Sequence, residues 1–379
     1  MVERLSVNIG PRPSASAQEE EAARYLDNFF RERGLESRVI SFRSVRTFSL
    51  TYAVYYTVSI AAVLLFTRWP AAAVLLASTN LLFFVAEINT FHIIGALLAR
   101  WCSHNTVARL AATSTVKRTV IFSAHLDSSR SGALFSPPLV SMFRYIFMSG
   151  LVSFVLIPCL LATGLIFGDP VFWAFSLFPA LCLLTGILLL LQRELFGNYT
   201  AGANDNASAV AVLGGLADYF AKSPADNCEL YFVGTGSEES GIIGMTHFLK
   251  NSRKKLLNPL FINLESLGCG QLKYIEREGM FPALRADPYL RNLAEKAAIN
   301  KRLPFVAGRF HTILTDNVSV LARRLPGLTL MGCGPDQLIP YWHQSCDIFH
   351  NIREENLIQA VELVKEMVTL IDTENFGTH

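Results

Sequence analysis

His125-Leu-Asp127 ends an apolar run at residues 119–124. A neutral imidazole is a good zinc ligand. A carboxylate two residues on can take the ring's other N–H, which fixes the tautomer and raises its basicity. The pair alone also fits an ordinary strand end. Gly202-Ala-Asn-Asp205-Asn-Ala-Ser208 presents a carboxylate after a tight glycine turn at a helix start. Asp205 there could bridge two cations, one oxygen to each, or simply cap the helix. Glu238 and Glu239 are adjacent carboxylates in a loop, and they repel unless something cationic is near. One of such a pair can bind metal while its neighbour takes a proton from water; a solvated, acidic helix start is the plainer alternative. Glu265 ends the apolar segment Phe-Ile-Asn-Leu, where a charge needs a partner. His343-Gln-Ser-Cys-Asp347 adds a second imidazole. His247 falls within an expected helix, His350 reads as incidental, and His311 is a candidate substrate contact.

Taken in order along one chain, H-L-D-S, G-A-N-D-N-A-S, E-E-S-G-I-I-G, I-N-L-E and H-Q-S-C-D resemble the motif series of the co-catalytic zinc aminopeptidases. That family includes bacterial leucyl-type aminopeptidases, glutamate carboxypeptidases and, more distantly, glutaminyl cyclases. Gly10-Pro-Arg-Pro13 and the helix expected after it are similar too, so the resemblance spans nearly all the polar chain. It implies two zinc ions, with His125 and Glu265 on one, Glu239 and His343 on the other, and Asp205 bridging them. It implies Glu238 as general base and Asp127 as the residue that orients His125. Thr315-Asp316 resembles a supporting acidic position behind the ligands. Two departures stand out. The family's fourth ligand is often Asp where this chain has Glu265, and two apolar blocks interrupt the catalytic sequence.

The elements that would position these residues alternate between strand and helix. Ser16-Ala-Gln-Glu19 is a capping-box pattern, and its helix runs to Gly34, a C′ glycine. Strands are expected at 38–42, 119–124, 229–234, 260–264 and 328–331, and helices at 207–221 and 355–371. Three candidate ligands stand just beyond strand ends, where open α/β sheets gather their sites. The pattern predicts an α/β, three-layer sandwich with a mixed, mostly parallel sheet.

Hydrophobic residues make up 51 % of the chain and charged ones 17 %, against about 25 % charged in an ordinary soluble domain. The apolar excess lies in four runs, at 48–67, 71–98, 145–167 and 171–191, each near the ~20 residues that span a bilayer. They form two hairpins, turning at Arg68-Trp69-Pro70 and Gly168-Asp169-Pro170. Glu87 and His92 mar the second run and are expected at the membrane interface. The predicted organisation is a discontinuous zinc peptidase domain (1–47, 100–143, 193–379) with membrane hairpins at 48–99 and 144–192. Arg43, Arg46, Arg100, Arg109, Arg144 and Arg193 flank the spans on the polar side, so the positive-inside rule puts that domain and both termini in the cytoplasm.

A net charge of +2 gives no case for nucleic-acid binding. Seven cysteines without a C-x-x-C pair suit free thiols, and the N-terminus has no apolar core of a cleavable signal. The expected activity is that of a membrane-anchored zinc exopeptidase, an aminopeptidase hydrolysing N-terminal peptide bonds. The partners implied are a peptide substrate and the lipid bilayer. A glutaminyl-cyclase-like aminoacyl transferase and an inactive receptor on the same fold are the alternatives.

Overall fold

The structure, a computed structural model, describes residues 1–279, 281–310 and 314–374. Internal contacts divide the chain into two units: 1–46, 100–129 and 199–379 in one, 47–99 and 130–198 in the other. Segments 130–143 and 193–198, assigned above to the peptidase domain, pack within the second unit. There Ser131 N–H donates to Asn198 O (2.8 Å) and Ala133 N–H to Gln192 Oε1 (2.9 Å).

The first unit is built on a sheet. Its strands are β1 (Glu36–Ser44), β2 (Trp101–Leu110), β3 (Arg118–His125), β4 (Cys228–Thr235), β5 (Pro259–Glu265), β6 (Gln271–Glu278), β7 (Leu284–Arg285), β8 (Val306–Phe310) and β9 (Gly327–Cys333). The order is β1-β2-β4-β3-β5-β9-β6-β7, with β8 beside β6. The sheet is mixed, but the expectation of mostly parallel pairing needs correcting: four pairings are parallel and four antiparallel. The parallel run β4-β3-β5-β9 forms the centre, where burial on both faces selects unbroken apolar strands. Alternation along β3 shows both layers. Val120, Phe122 and Ala124 enter the core shared with helices Ala17–Arg31 and Ala209–Lys222, whereas Ile121 enters the opposite core with Met245 and Phe248. Truncating Phe122 to alanine in such a core costs about 3–5 kcal/mol.

Strand β2 was not expected from sequence. Its Ser103-His104-Asn105-Thr106 stretch is polar, yet these residues are buried. Two of the four take specific polar partners: Thr106 Oγ1 donates to Ala23 O (2.7 Å) and Asn105 Nδ2 to Gly244 O (2.8 Å).

The second unit holds helices Phe48–Leu65, Pro70–Ile88, Phe143–Phe167 and Pro170–Phe196, each long and apolar enough to cross a membrane. Phe84 and Phe154 stack at 4.0 Å between ring centroids. Asn80 Nδ2 donates to Tyr55 O (2.9 Å) and Ser59 Oγ (2.8 Å). The helix from Pro70 stops at Ile88, earlier than the apolar run. Glu87 is buried and turns the chain there: its carboxylate accepts from Tyr55 Oη (2.8 Å) and from the N–H groups of Ile93 (2.8 Å), Ile94 (2.9 Å) and Gly95 (3.2 Å).

Candidate metal centre

The candidate ligands arrive on the carboxyl ends of the central parallel strands. His125 is the last residue of β3 and Glu265 the last of β5; Glu239 follows β4, and His343 follows β9. Asp205 lies in the turn Ala203–Ser208 with φ −108° and ψ 87°, outside helical values, so it precedes the helix instead of opening it.

The geometry is paired. Asp205 Oδ1 lies 3.1 Å from His125 Nε2, and its Oδ2 lies 3.3 Å from His343 Nε2. Glu265 Oε1 completes the first group at 3.3 Å from His125 Nε2, and Glu239 Oε1 the second at 3.0 Å from His343 Nε2. One ligand atom each from His125, Asp205 and Glu239 falls within a 4.8 Å cluster. Glu238 lines the same pocket, with Phe310, Leu314, Thr315 and Ile339.

The residues between the ligands fix this arrangement. Asn206 Oδ1 accepts from Ser266 N–H (2.9 Å) and its Nδ2 donates to Leu264 O (3.2 Å), which ties the Asp205 turn to the end of β5. Asn204 Nδ2 donates to Pro340 O (3.2 Å), and Asp347 accepts from the N–H groups of Asn204 (2.6 Å) and Asp205 (3.1 Å). These ties join the turn to the His343 loop. Gly202 has φ 60°, and a Cβ there would sit 2.5 Å from Ser128 Cβ. Ser237, Ser266 and His343, at φ 54°, 46° and 52°, all adopt the left-handed region that non-glycine residues avoid. Such strain persists only where its surroundings enforce it.

Asp127 lies against His125 Nδ1 through its backbone as well as its side chain. The Asp127 atom nearest His125 Nδ1 is its backbone oxygen, at 3.0 Å, with carboxylate Oδ1 at 3.5 Å. The carboxylate also accepts from the N–H groups of Glu238 and Glu239 (both 3.1 Å) and from Ser14 Oγ (2.6 Å). Arg12, unassigned from sequence, is fully buried. It donates to the carbonyls of Leu126 (2.7 Å), Leu5 (2.9 Å), Gly10 (2.9 Å), Ala201 (2.8 Å) and Gly202 (2.9 Å), and so joins the chain after His125 to the turn before Asp205. Burial lowers its pKa to about 10 against the opposing pull of Asp347, Asp127 and Asp205. Asp316 is buried, accepts from Thr235 Oγ1 (2.5 Å), and has its pKa pushed up to about 7 by burial. His311 lies outside the described residues.

The electrostatics call for cations. Burial alone would lower both imidazole pKa values, yet Glu265 and Glu238 hold His125 well above its ordinary value, and Glu239 and Asp205 hold His343 at about 9. Burial pushes Glu238 well above the usual carboxylate range, reinforced by Glu239, Glu265 and Asp316 against the opposing His125. Among the described residues no lysine or arginine lines the pocket, and Glu265 Oε2 is buried without a hydrogen-bond partner. Imidazole and carboxylate donors are what zinc takes. The set therefore fits the metal chemically.

Comparison with known proteins agrees with this chemistry. Residues 190–368 match the sequence model of peptidase family M28, a span that holds Asp205, Glu238, Glu239, Glu265 and His343 but not His125. No curated protein matches the sequence. Among solved structures, BSAP, a zinc aminopeptidase from Bacillus subtilis, has a TM-score of 0.59 at 15 % identity, over 100 % of this chain and 95 % of that one. The aminopeptidase from Aneurinibacillus sp. strain AM-1 has a TM-score of 0.56 at 16 % identity, over 97 % and 92 %. Porphyromonas gingivalis glutaminyl cyclase has a TM-score of 0.56 at 12 % identity, over 97 % and 95 %. The solved structures establish a shared fold, and the resemblance drawn from the motifs agrees with the family match, which places the M28 peptidase sequence pattern on residues 190–368.

Proposed function

We propose that this chain is a membrane-anchored, zinc-dependent exopeptidase, an aminopeptidase that hydrolyses N-terminal peptide bonds. One observation carries the reading: the two oxygens of Asp205 face two separate histidine–carboxylate pairs. That arrangement suits two metal ions. His125, Glu265 and Asp205 would hold one, and His343, Glu239 and Asp205 the other. Bound zinc supplies Lewis-acid polarisation of a scissile carbonyl and acidifies water. Glu238 accepts the proton from the attacking water and returns it to the leaving amine. Its burial keeps it from ordinary solvation. Phe310, Leu314 and Ile339 give the pocket an apolar wall suited to an apolar N-terminal side chain.

The test is Glu238→Gln. It should keep two zincs and lose about 10²–10⁴-fold in kcat, the usual worth of a general base. Unchanged turnover sinks the assignment. Peptides with a free N-terminus should be cleaved and blocked ones spared; the reverse pattern rules out an aminopeptidase. A cyclase-like aminoacyl transfer is favoured by one feature, the buried Trp342 ring 5.1 Å from that of His343, which is reminiscent of glutaminyl cyclases. Those use a similar ligand set with a single zinc, so one zinc per chain and cyclisation of N-terminal glutamine would replace the hydrolase reading.

The four apolar helices are proposed to span a membrane as two hairpins. In support, only 28–39 % of each apolar window is buried, and large side chains such as Leu75, Phe178 and Leu188 face outward. Arg43, Arg46, Arg100 and Arg144 support a cytoplasmic polar unit. Arg109 does not count among these flanks, because it sits in β2 paired with Glu229 and Glu36.

A further inference from the structure

Four consecutive amides open the loop that carries Glu238, and each is held by a buried side chain from a distant segment. Gly236 N–H donates to Asn105 Oδ1 (2.9 Å), and Ser237 N–H donates to Glu19 Oε1 (2.7 Å). Glu238 and Glu239 donate to the two oxygens of Asp127. Glu19 is completely buried. Its other oxygen accepts from Ala15 N–H (3.0 Å), at the start of its own helix, while Ser16 Oγ caps the Glu19 amide (3.2 Å). Capping thus accounts for one carboxylate oxygen only. The second reaches a residue 218 positions away in the chain.

That contact falls on Ser237, whose φ of 54° sets the direction in which Glu238 leaves β4. The packing is close: a Cβ at Gly236 would meet His104 O at 2.5 Å and Glu19 Oε1 at 2.9 Å. A buried carboxylate is costly unless donors satisfy it, and this one satisfies a strained loop in return. Asn105 pins both ends of the same loop, through Gly236 N–H and Gly244 O.

We propose that Glu19, with Asn105 beside it, is a positioning residue that sets the place of Glu238. The proposal rests on the reading of Glu238 as general base. Neither residue lines the metal pocket; both act on the backbone that aims the base.

The experiment uses the full-length, zinc-loaded chain and leucine para-nitroanilide. Glu19→Ala, Glu19→Gln and Asn105→Ala are each made in the wild-type and Glu238→Gln backgrounds, and kcat, KM and zinc content are measured. A displaced base should lower kcat by about 10–100-fold in Glu19→Ala and Asn105→Ala, with KM and zinc content unchanged. Glu19→Gln, which keeps an acceptor for Ser237, should lose less. In the Glu238→Gln background the same substitutions should cost nothing further. An equal fold-loss in both backgrounds, a loss confined to KM or zinc, or unchanged kcat overturns the proposal. If Glu19→Ala does not fold, Asn105→Ala decides by the same criteria. Wild-type turnover in Glu238→Gln alone removes the base assignment itself, and that outcome is distinct from additivity between Glu19 and an essential Glu238.

Discussion

Glu265 stands where the motif series that this chain resembles often has aspartate. Its Oε1 lies beside His125 while its Oε2 has no hydrogen-bond partner among the described residues. Asn206 fixes the backbone on either side of it, through Leu264 O and Ser266 N–H. Glu265→Ala should reduce zinc from two per chain to one and weaken zinc affinity by at least about 10–100-fold, the loss typical of even outer partners of a metal site. Glu265→Asp should recover the second ion. Elemental analysis of the purified variants decides; two zincs in Glu265→Ala would remove this residue from the ligand set. Much of this was legible from residues alone, because each candidate ligand belongs to a short local motif. Glu19, Asn105 and Arg12 were not legible as parts of the site. Their partners lie far away in sequence, and only the folded sheet shows that an ordinary capping glutamate also holds Ser237.

At the scale of elements, strong apolar periodicity made β3, β4, β5 and β9 readable, together with the helix that closes the chain at Glu354–Asp372. Strand β2 escaped because its buried face is polar, and hydrophobic pattern is the main signal for a strand. Strand β6 carries another such group. Glu278 is completely buried at its end, accepting from Thr315 Oγ1 (2.5 Å), Asn317 Nδ2 (2.5 Å) and Thr329 Oγ1 (2.9 Å), and so secures the segment bearing Asp316 against β9. Burial raises its pKa despite these donors. The folded chain therefore favours the protonated acid more than the unfolded chain does. The stabilisation is fully present below the unfolded value of about 4.3 and is lost as pH rises through the raised folded value. Denaturant unfolding between about pH 5 and about pH 8 should show this decline. Glu278→Gln should flatten it, a tenfold difference in proton affinity between the folded and unfolded chain being worth about 1.4 kcal/mol. An unchanged slope would show that other groups carry the pH dependence.

At the scale of the whole molecule, the apolar helices predict that the chain stays with membranes after an alkaline carbonate wash and needs detergent for release. Orientation can be read by adding single cysteines to a cysteine-free variant and labelling intact cells with an impermeant thiol reagent. Residues 68 and 169, at the hairpin turns, should label from outside, and residue 250, in the helix after β4, should not. Labelling of residue 250 in intact cells would reverse the topology. The seven native cysteines are all unpaired, so their replacement breaks no disulfide.

Both interruptions of the sheet unit begin and end at neighbouring points. Ser44 pairs with Trp101 where the chain leaves β1 and returns to β2. Ser129 O accepts from Thr200 N–H (2.9 Å) where it leaves again after β3 and returns before Asp205. This has a consequence for synthesis on the ribosome. β3 and His125 are translated before the third and fourth apolar helices, whereas β4, β5, β9 and the other four candidate ligands are translated after them. A nascent chain therefore cannot assemble the five-ligand cluster until its last apolar helix has emerged. Pairings between segments so far apart also form late in folding. Assembly of the candidate site is in this way ordered behind synthesis of the apolar helices, and a translation product truncated at the last of them would lack four of its five candidate ligands.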